Sequence, residues 1–264
     1  MAGSIRIVSL NVSAPGERRV PGLLRWLAGQ DAAVLVLTET RSGAGHRLLC
    51  AGLRDLGFTL HDAHPPAGGR GVLVATSVPT VPADDPYADL SGRAIRVRLA
   101  DETGPVDVVA IYGPSSPPHG IPPDRKALAR KESWLLACMT TLEESWPAPE
   151  AAGSLLIGDL NVIPPDHQPL YGSTKLFEYE FFYRLITELH LTDLTSQVAS
   201  ADYTHTWVSH QGHGYRFDHA LCDQPLAARV TECAFDHEPR LTGITDHSAI
   251  RVVLDRAGPV RAGW

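Results

Sequence analysis

The chain alternates between short apolar runs, which predict strands, and longer amphipathic runs, which predict helices. "IRIVSLNV" predicts a strand ending at Asn11. "VPGLLRWLAGQ" predicts a helix with Pro21 in its first turn, where a missing N–H does no harm. "AAVLVLTET" predicts a strand ending at Glu39, and "HRLLCAGLRDLGF" a helix stopped by Gly57. "RGVLVATS", "RAIRVRLA" and "VDVVAIYGP" predict three more strands. Leu128, Leu135, Met139, Leu142 and Trp146 share one helical stripe, so residues 124 to 146 should form one long helix. "SLLIGDLN" is then a strand, and "FEYEFFYRLITELHL" a helix with Phe182, Leu185, Ile186 and Leu189 inward. "YTHTWVS", "YRFDHALC", "ARVTECAF" and "SAIRVVLD" complete the chain as strands. The Pro-rich stretches 114 to 123 and 164 to 169 read as loops beside strand ends, so residues 1 to 264 are expected to form one domain.

The strand ends carry the unusual feature. Asn11, Glu39, Tyr112, Asp159 with Asn161, Asp218, and Asp246 with His247 each lie at or near the end of an apolar strand, far apart in sequence. In α/β architectures, sites gather outside strand ends, where rigid strands hold polar groups carried by loops. Singly, each residue has an ordinary reading: a turn former, a solvated strand end or a surface ion pair. Together, several carboxylates would repel one another unless a divalent cation relieved the repulsion, and all-oxygen ligands suit magnesium or manganese.

Composition narrows the partners. The chain is 44% hydrophobic and 20% charged, ordinary for a globular protein. Its net charge of −7 argues against wholesale nucleic-acid coating, while leaving room for a local basic groove. Four cysteines with no close CxxC pair argue against a zinc framework or disulfide scaffold. No run has the length of a membrane span, and the first residues lack a signal-peptide core, so no membrane partner and a cytoplasmic setting are expected.

The order of "SLNV", "LTET", "IYGPS", "GDLN", "YRFDHAL" and "TDHSAI" resembles the endonuclease/exonuclease/phosphatase superfamily over almost the whole chain. The resemblance implies a four-layer α/β sandwich, two mixed β-sheets face to face with helices outside, the DNase I-like fold. Tyr112 in "IYGP", where other branches usually carry a histidine, resembles the exonuclease III and abasic-endonuclease branch, as does "DQPLAARVTECAFDHEPR". Departures are Thr38 where the family often has Gln, Ser13 where Asn or Asp is common, and Thr206 in place of a second aromatic before Trp207. The loop from Val208 to Tyr215 lacks an apolar wedge that could enter a minor groove.

The resemblance also implies roles. Glu39, Asn11 and Asp246 would hold Mg²⁺ (or Mn²⁺), Asp159 with Asn161 would activate water, and His247, oriented by Asp218, would donate to the phosphate beside Tyr112. Arg125 and Lys126, with Arg130 and Lys131, are candidates to track a DNA backbone, as are Arg70, Arg93, Arg96 and Arg98; Trp207 could stack on a sugar or base, and Arg216 could brace the site. The expectation is a monomeric, metal-dependent phosphodiester hydrolase acting on DNA. The alternative is a phosphodiesterase or phosphatase for a small-molecule or lipid phosphate.

Overall fold

The structure is a computed structural model that describes residues 3–116, 124–146, 152–169, 174–198 and 205–256. In chain order its main elements are β1 (Ser4–Asn11), α1 (Val20–Ala28), β2 (Val34–Thr40), α2 (Ala44–Asp55), β3 (Thr59–Asp62), β4 (Gly71–Thr76), β5 (Thr80–Val81), β6 (Ala94–Leu99) and β7 (Val106–Tyr112). Then follow α3 (Arg125–Ser145), β8 (Ser154–Asp159), α4 (Leu176–Thr187), β9 (Thr192–Asp193), β10 (Trp207–Val208), β11 (Gly214–Tyr215) and β12 (Asp218–Cys222). The chain finishes with α5 (Gln224–Ala227), β13 (Val230–Asp236), α6 (Glu238–Leu241) and β14 (Ala249–Asp255).

Two six-stranded mixed sheets form, in the orders β13-β14-β1-β2-β4-β3 and β5-β6-β7-β8-β12-β9. Each has one parallel pair near its middle, β1 with β2 and β7 with β8, and each pair is joined through a helix, α1 or α3. All other pairings in the two sheets are antiparallel. This is the four-layer sandwich expected from the sequence.

Period-two alternation builds the layers. Ile5 and Ile7 of β1, Val34 and Val36 of β2, Val108 and Ala110 of β7, and Leu155 and Ile157 of β8 meet in one cluster between the sheets. The alternate residues face the helices: Val8, Leu10, Leu35 and Leu37 pack on α1 and α2, while Val109, Ile111 and Leu156 pack on α3 and α4. Both faces of the central strands are therefore buried, which is why their sequences are nearly continuous apolar runs.

The short elements depart from expectation. Strands β3, β5 and β9 and helices α5 and α6 have too few residues to show a period. "YRFDHALC" is not one strand: the Thr206 hydroxyl accepts the amides of Phe217 and Asp218, which separates β11 from β12. The helix expected over 177 to 191 stops at Thr187, and His190 takes a left-handed conformation (φ 53°). Of the loop expected at 114 to 123, residues 117–123 lie outside the described residues, as do residues 203 and 204 of the strand expected at "YTHTWVS".

Candidate active site

The polar strand ends are the last rungs of the inter-sheet rows. On β1 the inward row Ile5, Ile7, Ser9 continues to Asn11; on β7 the row Val106, Val108, Ala110 ends at Tyr112; on β8 Leu155 and Ile157 lead to Asp159; on β12 Asp218 precedes Ala220 and Cys222. Because side chains two apart share a face, the residue type needs only to change from apolar to polar at the sheet edge to bring these groups together. Gly158, before Asp159, allows this approach: a Cβ there would stand 2.1 Å from the Ile111 carbonyl oxygen on β7.

Glu39 breaks the alternation. Its parity matches the outward-facing Leu35 and Leu37, yet the β2–β4 register shifts between Thr38 and Thr40, and Glu39 has φ 58°. Such a bulge re-aims a side chain. The Glu39 carboxylate consequently accepts from Asn11 Nδ2 at 3.1 Å and from the Tyr112 hydroxyl at 3.2 Å, both at Oε2. Its other oxygen meets Arg70 Nε at 3.2 Å. Asn161 also has a left-handed backbone (φ 52°), which turns its amide back to donate to Asp159 Oδ2 and to the Gly113 carbonyl, each at 3.0 Å.

Asn11 is the hinge of the network. Its Nδ2 donates both to Glu39 and, at 2.7 Å, to Asp159 Oδ2, while its Oδ1 accepts the Ser13 amide. Asp159 is buried and receives the Asn161 backbone N–H at 2.9 Å. Burial, followed by the nearby Asp218 charge, pushes its carboxyl up to about 7, against the pull of His247 and the Asn11 hydrogen bond. His247 is also buried, and its Nδ1 lies 2.8 Å from Asp218 Oδ2. Burial opposes charge on this ring, but the Asp218 charge and hydrogen bond, helped by Asp159 and Asp246, outweigh it and raise His247 to about 9. The ring therefore carries a proton at neutral pH. Burial and the Glu39 charge push the Tyr112 phenol upward, which keeps it a neutral donor, with Arg93 4.7 Å over its ring.

Asp246 stands at the rim. Its Oδ2 accepts Trp207 Nε1 at 3.0 Å. Burial would raise its carboxyl, but the His247 charge and the Trp207 hydrogen bond hold it below the usual range. Thr245 joins this segment to β1 by donating to the Asn11 carbonyl at 2.7 Å.

Donor atoms of Asp159, Asp218 and His247 lie within 4.8 Å of one another, and the Asn11 amide brings the Glu39 carboxylate to the same end. Carboxylates gathered in this way suit a hard, oxygen-seeking cation. Burial does most to lift Asp159, and the Asp218 charge adds a repulsion that a divalent cation would relieve.

The remaining candidates divide. Arg125 and Lys126 are exposed in the first turn of α3 and make no ion pair among the described residues. Lys131, four residues before Leu135 on the apolar stripe, is buried; its Nζ donates to the Asn161 carbonyl at 2.6 Å and pairs with Glu178. It supports the turn after β8 from behind and is removed from any nucleic-acid surface. Arg216 is buried too, with its guanidinium on Asp193 and Asp166 at 3.2 and 3.3 Å. These two carboxylates meet one guanidinium nitrogen and tie the start of β12 to β9 and to the loop after β8. Trp207 is half-buried beside Tyr215 and Phe217. Arg70 reaches Glu39 from the β3–β4 loop, a contact the sequence signalled only by a basic residue before a strand.

Comparison with known proteins gives the family and the fold. The model of the "Endonuclease/Exonuclease/phosphatase family" matches residues 8–247. No curated protein matches significantly in sequence. Among solved structures, the fold is similar to an AP endonuclease from Archaeoglobus fulgidus (22% identity, TM-score 0.75, covering 95% of this chain and 99% of that one). The 3′ phosphatase NExo from Neisseria, bound to a product DNA hairpin, gives the same identity, TM-score and coverage. The AP endonuclease LMAP from Leishmania major is similar at 18% identity and a TM-score of 0.71, covering 96% of this chain and 88% of that one.

Proposed function

The chain belongs to the endonuclease/exonuclease/phosphatase family of metal-dependent phosphoester hydrolases, and on that premise we propose that it is a DNA nuclease of the exonuclease III type. The observation that carries this reading is the single amide of Asn11 joining the two carboxylates Glu39 and Asp159 at the meeting of both sheets. Glu39, Asn11 and Asp246 would hold Mg²⁺ or Mn²⁺, which would supply Lewis-acid stabilisation of charge on the phosphate. Asp159 accepts the proton of the attacking water, and Asn161 fixes the carboxylate's orientation. His247, charged and held by Asp218 at Nδ1, donates to a non-bridging phosphate oxygen through Nε2. Tyr112 spends its one O–H on Glu39 and so keeps that carboxylate in place beside the phosphate.

Arg125 and Lys126 contact the phosphate backbone, and Trp207 meets a sugar or base at the rim. The catalytic unit is one domain acting as a cytoplasmic monomer. No helix of the described residues is long and apolar enough to cross a membrane.

A second reading is favoured by one observation. The β10–β11 turn is tight, closed by the Ser209 and His213 backbones at 2.8 Å, and its tip, Ser209 to His213, holds no apolar side chain to wedge into a groove. That suits a small or lipid phosphate diester. A panel of abasic, nicked, 3′-phosphate and single-stranded DNA beside bis(p-nitrophenyl) phosphate separates the two. Turnover of DNA far above the small ester supports the nuclease; turnover of the ester alone overturns it.

A further inference from the structure

A second group of donor atoms lies on the outer face of the first sheet. His46 and Cys50 are four residues apart on α2 and share one helical face. Asp62 ends β3, two residues after Leu60, which packs against the same helix layer. His46 Nε2 is 2.8 Å from Asp62 Oδ2 and 3.5 Å from Cys50 Sγ, and the three donor atoms lie within 4.8 Å of one another. His46 and Asp62 are mostly buried and Cys50 is buried, so the group is shielded from bulk water without being sealed.

From this juxtaposition we infer that His46, Cys50 and Asp62 form a binding site for a transition-metal cation of the zinc class. One imidazole nitrogen, one thiolate and one carboxylate oxygen are the donor types that such a borderline-soft cation combines. Zinc bonds of about 2.0 to 2.3 Å place tetrahedral donors roughly 3.3 to 3.7 Å apart. The N···S separation already has this value, and the N···O separation needs to open by only a few tenths of an ångström. A cation there takes the place of the proton that His46 and Asp62 now share.

The ring is oriented by this group alone. His46 Nδ1 is buried and has no hydrogen-bond partner among the described residues, so only Asp62 and Cys50 fix where Nε2 points. The other Asp62 oxygen, Oδ1, is held by the His64 backbone N–H at 2.9 Å, with the exposed His64 ring 3.8 Å away at Nδ1. Asp62 is also the root of the loop that ends at Arg70, the partner of Glu39. The site therefore staples α2 to β3 and anchors one end of the segment that reaches the candidate active site.

The test uses the full chain, stripped with a chelator and returned to excess Mg²⁺, so that oxygen-ligand sites are occupied. Co²⁺ is then titrated and followed by absorption. A thiolate-to-cobalt band in the near ultraviolet, saturating at one equivalent and bleached by Zn²⁺, is expected. Cys50→Ser should remove the band; His46→Gln and Asp62→Asn should each weaken binding by about tenfold or more. Circular dichroism checks that each variant is folded. Zn²⁺ should also raise the Tm of the wild type and leave that of Cys50→Ser unchanged. Absence of the band in the wild type, its persistence in Cys50→Ser, or an equal Tm rise in both proteins would overturn the site and leave a simple His46–Asp62 hydrogen bond.

Discussion

The two ends of the sandwich treat buried carboxylates in opposite ways. At the end where β6 passes to β7, Asp107 is gripped by Arg98 through both of its oxygens, at 3.0 and 2.9 Å. Beside it, the fully buried side chain of Asp101 accepts from Arg229 at 2.7 Å and Thr103 at 2.6 Å, with Arg256 3.7 Å away. At the other end, Asp159 and Asp218 are buried, and among the described residues no arginine reaches either; an asparagine, a second asparagine and a histidine take that place. Burial would raise the Asp101 carboxyl, yet Thr103 and Arg229 hold it below the usual range, while Asp159 is raised to about 7. Asp101 and Asp159 thus differ in whether their charge is matched, and Asp159 is also the more deeply buried of the two. Removing one partner of a matched buried charge is costly to the fold, whereas an unmatched one marks a candidate functional site.

This contrast can be broken at its sharpest point first. Chelation with EDTA should abolish turnover, and Glu39→Ala should do the same while weakening metal binding, because the unmatched end depends on a cation. Full activity in chelator would remove the metal from the argument. Asp159→Asn keeps the size of the side chain and removes the base, so kcat should fall by about two to four decades. Its folded secondary structure should be retained, and near-normal kcat would show that another group activates the water.

The matched end should respond in the other currency. Asp101→Asn leaves the buried Arg229 without its counter-charge and should cost about 3 to 5 kcal/mol in urea unfolding. Its kcat, measured on folded protein, should stay within about twofold of wild type. A comparable loss of kcat would mean that the two ends are not independent. The pH dependence follows from the same depressed carboxyl. Its contribution to stability is complete above the unfolded value of 3.8 and is lost as pH falls through the lower folded value. Tm of the wild type should therefore drop below about pH 4 more steeply than that of Asp101→Asn.

The smallest effect concerns the exposed charges. Neutralising Arg125 and Lys126 should raise KM for DNA with little change in kcat, and flatten the salt dependence by about one unit per lost phosphate contact. Equal loss on a small diester would place these residues in folding instead.

What the sequence made legible has a physical basis. Asn11, Tyr112, Asp159 and Asp218 were readable because each ends or begins an apolar row, and alternation alone carries them to the inter-sheet edge. The four layers were expected from the resemblance carried by the motif order, and alternation explains why the strands fit them. Glu39 was picked out by its position, although its aim depends on a bulge that no local pattern announces. Lys131 was misread as surface charge, since a helix wheel cannot show that Glu178 arrives from another helix to neutralise it. Arg216 pairs with residues 23 and 50 positions away, and the Asp101–Arg229 pair spans 128, distances beyond any periodicity.

The seating of β1 between β14 and β2 bears on how the molecule comes into being. Ser4 pairs with Asp255, so the first strand cannot acquire its second neighbour until nearly the whole chain has emerged. Pairings of this separation slow folding, because a long loop must close before the contact repays it. During synthesis, N-terminal segments can collapse early, but Asp246 and His247 arrive just before β14. The proposed site is thereby tied to β14: a nascent chain carrying Asn11, Glu39 and Asp159 still lacks Asp246 and His247, so these groups come together only as β14 docks.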